Sequence, residues 1–301
     1  MFQWLEHGPA GAIEATVAEL RANVPSAVLQ ERGCATLRKL VTDKAKAVEA
    51  GAVGAVEALT AALQAHPASV EVLQAACLAL SSIALCNDNK DKAGAAGAVE
   101  FVVAVMQAHP ASAEVQCAAC KALYAVASYH DDNVFKAVAA GALESVVAAL
   151  QAHPANADVQ CAACKAVEYL TMFSQNNKVN AGKVGIIEAV VAAMRAHPAS
   201  ETVQSAACKA LSAIDSTSNL VKAGAEGAVA AVVTAMLVHR KRWVLQFYAF
   251  KVILKLIDGN SCNAAKARTA GAVEAVKRAV QTHADLVDKG ELVLAALQGT
   301  P

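Results

Sequence analysis

Two cysteine pairs, Cys117 with Cys120 and Cys161 with Cys164, have the C-x-x-C spacing used by zinc sites and dithiol redox centres. Four thiolates can hold zinc tetrahedrally, and a redox pair needs a strand before it. Both pairs instead lie within alanine-rich, helix-forming stretches, on separate helices that would pack ~10 Å apart. Thiol chemistry across that gap needs closer approach, so packing is the better reading, since reduced cysteine behaves as a small hydrophobe. A row of histidines (His66, His109, His153, His197, His239, His283) recurs every 42–44 residues, and four of them precede proline. A partly positive imidazole suits the negative end of a helix dipole; metal binding and pH sensing are the other uses of such a row. Lysine recurs at Lys121, Lys165, Lys209 and Lys251, with Lys255 one helical turn beyond. Aligned like charges attract an acidic helix, tail or phosphorylated segment, although lysine also keeps an alanine-rich helix soluble, aided by Glu168. Finally, Arg240, Lys241, Arg242 and Trp243 precede Gln246, Phe247, Tyr248, Phe250 and Lys251. That mixture fits a phosphate contact or partner surface, or bulk filling a bend beneath solvated charges. There is no nucleophile–base–acid arrangement and no P-loop or Rossmann glycine pattern, so no catalytic residue, cofactor site or small-molecule substrate is assigned.

The spacing itself comes from an internal repeat. Residues 97–127, GAVEFVVAVMQAHPASAEVQCAACKALYAVA, have near-copies at Gly141 and Gly185, and aligned glycines stand at 11, 54, 97, 141, 185, 227 and 271. The steps are 43, 43, 44, 44, 42 and 44 residues. Cys34, Cys77, Cys120, Cys164, Cys208, Phe250 and Leu294 hold one register position. Such a period marks a solenoid whose units stack on their neighbours, the end units serving as caps.

Within a unit, Val99, Val102, Val103 and Met106 follow the i, i+3, i+4, i+7 pattern of an amphipathic helix. Acids at its start (Glu14, Glu57, Glu100, Glu144, Glu188, Glu274) complement the helix dipole. The helix stops at His-Pro, because proline disfavours helical geometry in the preceding residue. Ser69, Ser112, Asn156 or Ser200 then caps a second helix, which for Ser112 runs from about 113 to 127 and buries Val115, Ala119, Leu123 and Val126. A polar break and a short helical piece over 134–139 complete the unit. On a helical wheel Lys121 lies opposite the buried stripe, beside Cys117 and Tyr124, and Tyr169 has the place of Ala125 one unit later. The terminal units differ: Phe2, Trp4 and Leu5 would close the first, and Gly290 would weaken the last helix.

A ~42-residue unit with Asn89, Ala93, Gly97 and Ala98, then Glu114, Val115, Gln116, Ala122 and Leu123 in the following helix, and again Asn133, Val138, Ala140, Gly141 and Ala142 one period on, resembles the armadillo repeat. The resemblance covers residues 8–298 or so. It is nearest the alanine-rich armadillo arrays of algae and other protists and the armadillo region of leucine-rich-repeat kinases. It implies an all-α, right-handed α-solenoid superhelix of about seven armadillo-like repeats, starting near 8, 51, 94, 138, 182, 224 and 268, as one domain over 1–301. At ~8–10 Å between packed helices the rod would be on the order of 60–70 Å long. The resemblance also implies that the third helix of each armadillo unit lines a concave groove and that the chain is a non-enzymatic protein-binding scaffold. Peptide-binding members such as importin-α use a tryptophan and an asparagine on that helix. Here Leu78, Lys121, Lys165, Lys209 and Lys251 stand at the tryptophan position, and Ser82, Ala125, Tyr169, Ala213 and Lys255 at the asparagine position. The missing ladder speaks against a karyopherin-like transport adaptor. An accessory structural subunit of a large assembly is the other alternative.

Composition agrees. The chain is 56% hydrophobic but 4% aromatic, with 26 basic and 26 acidic residues, so no global charge points to nucleic acid or a membrane surface. No apolar run approaches the ~20 residues of a spanning helix. The start lacks signal-peptide and transit-peptide character, and an intracellular, cytoplasmic protein is expected. The expected partner contacts are Lys121, Tyr124, Lys165, Tyr169, Lys209, Lys251 and Lys255 along the groove, with Arg240, Lys241, Arg242 and Trp243 at its irregular unit.

Overall fold

The computed structural model describes residues 8–299; the expected cap at Phe2, Trp4 and Leu5 lies outside them. Contacts divide the chain into two compact units, residues 1–145 and 146–301, described in turn. All regular structure among the described residues is helical.

The first unit holds α1 (Gly8–Ala22), α2 (Ala27–Leu40), α3 (Lys44–Ala52), α4 (Ala55–Ala65), α5 (Val70–Ile83), α6 (Asn87–Ala95), α7 (Ala98–Ala108), α8 (Ala113–Ala127) and α9 (Asp131–Ala139). The division falls in α10 (Ala142–Ala152). The second unit continues with α11 (Ala157–Thr171), α12 (Gln175–Lys183), α13 (Ile186–Ala196), α14 (Glu201–Ala213), α15 (Thr217–Ala225), α16 (Ala228–Val238), α17 (Trp243–Ile257), α18 (Ser261–Thr269), α19 (Ala272–Thr282) and α20 (Val287–Gln298). Each repeat between α4 and α18 is therefore a medium, a long and a short helix, whereas the first opens with the 15-residue α1 and the last ends with α20. The long helices stack in series: α2 on α5 on α8 in the first unit, and α11 on α14 on α17 on α20 in the second. Their shared buried row is Cys34, Cys77 and Cys120 in one unit and Cys164, Cys208 and Phe250 in the other, all 0% exposed.

Local signals work as the sequence reads. The opening glycines Gly54, Gly97, Gly185, Gly227 and Gly271 have φ of 74–94°, a left-handed turn that L side chains avoid. Ser69, Ser112, Asn156 and Ser200 each accept an amide hydrogen bond at their helix start. Three details differ. Helix α1 begins before its glycine, so Glu14 falls outside the first turn. The short helix α9 starts at Asp131 rather than 134, capped by His130. Gly290 is no defect: a methyl there would meet Val280 Cγ1 at 2.2 Å, so the missing side chain lets α20 close onto α19.

Buried amides lock the repeats. Gln116 Nε2 donates to Met106 O (2.7 Å) and His109 O (2.9 Å); Gln30, Gln160, Gln204 and Gln246 repeat the pattern. Pro110 has no amide hydrogen to give the end of α7, and the glutamine supplies one. Asn89 Nδ2 bonds Ala47 O (2.7 Å) in the preceding repeat and Ile83 O (2.9 Å) in its own. Asn133 and Asn219 do likewise. Gly51, Gly94, Gly182 and Gly224 make room for Asn89, Asn133, Asn219 and Asn263, whose side-chain atoms lie 1.7–2.4 Å from where a Cβ would stand. Lys92, Lys136, Lys222 and Lys266 reach back to the carbonyls of those same glycines.

Candidate functional site: a basic and aromatic face on the second unit

The histidine row is structural. Nε2 of His66, His109, His197, His239 and His283 meets a carbonyl 41–43 residues upstream (Val24, Pro67, Pro154, Pro198 and Arg240) at 2.6–3.1 Å. Each histidine also ends its own helix, so one ring joins two successive turns. The cysteine pairs are half-buried at Cys117 and Cys161 and buried at Cys120 and Cys164. No cluster of three metal-ligating side chains occurs among the described residues. Burial pushes the Cys34, Cys77 and Cys208 thiols up to about 12, the behaviour of packing groups rather than nucleophiles.

Chemistry that is not consumed by packing lies along α11, α14, α17 and α20 of the second unit. The buried faces of these helices are fixed by Val159, Ala163, Val167, Val203, Ala207 and their kin, which turns the lysine row outward. Lys165 is exposed, and Lys209, Lys251 and Lys255 are half-buried. Tyr169 is half-buried. Lys209 Nζ lies 5.3 Å from the Tyr248 ring centre, and Lys251 Nζ lies 5.5 Å from Tyr248 and 5.8 Å from Phe247. Lys289 Nζ stands 4.9 Å over Phe247. Trp243, 42% exposed, stacks on Phe247 at 5.2 Å and 20°, and Phe247 meets Tyr248 edge-on at 5.3 Å. Aromatic faces therefore steady three ammonium groups, and none of the three forms an ion pair with a carboxylate among the described residues. Lys251 is desolvated and sits near Lys255 and Lys289, which together draw its pKa below the ordinary lysine value.

Lys255 behaves differently. It donates to Ser212 O (3.0 Å) and pairs with Asp215, which also takes Lys178 at 2.6 Å. Burial opposes ionisation of Asp215, but these two lysines outweigh it and hold the carboxyl below its usual range. Lys255 thus braces the turn after α14. In the irregular repeat, Arg242 pairs with Glu201 at 2.7 Å, and Arg240 Nε donates to Leu237 O at 2.9 Å. Arg240, Lys241 and Arg242 are all exposed at the start of α17.

In the first unit Lys121 is exposed and Tyr124 half-buried on α8. The surface between α2 and α5 carries a shallow depression of about 510 Å³, lined by Glu31, Arg38, Lys39, Glu71, Gln74 and Leu78 among others. Its charges are mixed in sign. Sequence reasoning named Phe247 and Tyr248 as candidate partner surface but missed Lys289, Asp215 and Lys178 as members of the second-unit face. Lys289 was hidden because Ala295, not lysine, holds the row position in the last repeat; the aromatic pair was visible as composition but not as a support for lysine.

No protein-family model and no curated protein matches the sequence. Solved structures do match. An engineered protein aligns over 96% of this chain and 69% of its own at TM-score 0.80 and 22% identity. A designed armadillo repeat protein aligns over 80% and 99% at TM-score 0.67 and 24% identity. A second designed armadillo repeat protein, in complex with the peptide (KR)4, aligns over 80% and 99% at 0.66 and 26%. The chain has an armadillo-like, all-helical repeat fold. No single helix among the described residues is long and apolar enough to cross a membrane.

Proposed function

We propose that the chain is a non-catalytic scaffold that binds protein partners, and that the face formed by α11, α14, α17 and α20 holds an acidic segment. One observation carries this reading. Lys209, Lys251 and Lys289 lie over aromatic rings and form no ion pair among the described residues, so their charge, only partly offset at Lys209 and Lys251 by the nearby Glu168, is left for a partner. Lys165, Tyr169 and Trp243 extend the same face, and Lys121 and Tyr124 hold the corresponding place on α8. A structural neighbour binds a peptide of the opposite sign, which is consistent with a peptide-binding architecture whose charge preference is set by its surface residues. Several modest contacts along a rigid face would sum to useful affinity, with the charges setting association rate and salt dependence.

The test is fluorescence anisotropy with labelled (Glu)8 and (Lys-Arg)4 peptides. The wild type binds (Glu)8 in preference to (Lys-Arg)4, and more weakly as salt rises. The K209E/K251E/K289E variant loses at least about tenfold in (Glu)8 affinity. Equal binding of both peptides, or undiminished binding by the variant, removes the reading.

Permanent incorporation in a large assembly as an accessory subunit is the second reading. Leu85, Phe135 and Leu292 are 50%, 75% and 61% exposed, more apolar surface than an alanine-rich face needs. Elution of native material at a size far above that of the purified chain would favour it.

A further inference from the structure

Glu168 stands apart from every other carboxylate on this face. It projects from α11 with 6% of its surface exposed, yet forms no hydrogen bond and no ion pair among the described residues. A buried carboxylate with no partner is costly, and one that lines an opening is available to whatever enters. Glu168 borders a cavity of about 200 Å³ together with Met172, Ser212, Asp215, Tyr248 and Lys251. The charged and titratable groups around it are Lys165 and Tyr169 on its own helix, Lys209 of α14 and Asp215 beyond it. Lys178 of α12 and Tyr248, Lys251 and Lys255 of α17 complete the set. Asp215, Lys178 and Lys255 satisfy one another, so the field at Glu168 comes from Lys165, Lys209 and Lys251.

Resting on the acidic-partner reading, we infer that this cavity is the seat of one anionic side chain of the partner, and that Glu168 takes up a proton when the seat is filled. An anion seated in the cavity against Lys251, the lining lysine not tied to Asp215, offsets part of the positive field that favours the ionised form of Glu168, and adds a like charge beside it. Two carboxylates sharing such a site do not both stay ionised. The proton, taken from solvent, converts Glu168 from an acceptor into an O–H donor toward the incoming oxygen. Burial already pushes the Glu168 carboxyl above the ordinary range in the free protein, against the pull of Lys209, Lys165 and Lys251. The bound state therefore holds more protons than the free state, so affinity rises as pH falls and weakens as pH rises. The seat favours a carboxylate side chain in an environment that can supply a proton, and Glu168 grades its affinity with pH.

The experiment is titration calorimetry of the full chain with (Glu)8 at pH 5.5, 6.5 and 7.5, in pairs of buffers with different ionisation heats, using wild type and Glu168→Gln. Wild type takes up a fraction of a proton on binding. E168Q takes up less by that fraction, loses the corresponding pH dependence, and binds about threefold more tightly at pH 7.5, the scale of one like-charge contact in a wet groove. The carboxyl carbon of Glu168, followed by NMR in the wild type with and without peptide, reads the same protonation without a variant. Binding with equal proton uptake in wild type and E168Q, and an unmoved Glu168 resonance, overturns this inference and leaves the acidic-partner reading standing. No binding of (Glu)8 at any pH overturns both.

Discussion

Replacing Gly51 with alanine should destabilise the first unit, although alanine is the better helix former. Gly51 lies in α3, and a methyl there would stand 1.7 Å from Asn89 Oδ1 and 2.6 Å from its Cγ. Asn89 is 2% exposed and donates to Ala47 O and Ile83 O at 2.7 and 2.9 Å, so it cannot move without giving up both bonds. Two such bonds contribute ~1 kcal/mol each, and the crowding adds ~1–3 kcal/mol. Alanine returns ~1 kcal/mol of helix propensity. The net loss is ~2–4 kcal/mol, read as a lower urea midpoint at unchanged slope. The decisive comparison is the double-mutant cycle with Asn89→Ala. With the asparagine gone, G51A meets no obstacle and should stabilise by up to ~1 kcal/mol, reversing its sign. A neutral G51A in the wild type, or a cost that persists undiminished beside N89A, would refute the interlock.

Gln116→Leu keeps the volume of the buried staple but removes its donors. The orphaned Met106 carbonyl costs ~1–3 kcal/mol, partly offset by the greater apolar burial of leucine, for a net loss of ~1–2 kcal/mol by denaturant titration. Asp215→Asn tests the brace between α12 and α17. Its folded pKa lies below the unfolded value, so its contribution is present above about pH 4 and is lost as pH falls through the folded value. Wild type and D215N should differ in thermal midpoint by a constant amount at neutral pH and converge below about pH 4. Among the thiols, exposed Cys262 should alkylate first, and buried Cys34, Cys77, Cys120 and Cys208 only after unfolding; mass-mapped labelling with iodoacetamide reads the order.

The repeat, its three helices, their caps and their buried stripes were all legible in the chain, because each is set by near neighbours. A serine just ahead of an apolar-periodic run can cap the helix that follows, as Ser112 does through the Val115 amide, and proline ends one for local steric reasons. The roles of the polar residues were much less legible. The histidine row could be read as a helix-end feature, but not as a bond to the preceding repeat, since the acceptor lies 41–43 residues away. Gly290 looked like a weak point in its helix and is instead the place where two helices touch.

The two lysine rows show where sequence stops and tertiary structure begins. Both recur at the repeat period, and nothing in composition or spacing separates them. Lys92, Lys136, Lys222 and Lys266 face the preceding repeat, where backbone carbonyls take them, joined at Lys222 by the Glu188 carboxylate. Lys209 and Lys251 stand instead on the long helices α14 and α17, over the Tyr248 ring. Periodicity alone determined that several repeats would offer a lysine at a fixed place. Which of those places had a carbonyl within reach was decided only when successive repeats packed, because that carbonyl belongs to a residue some forty positions away.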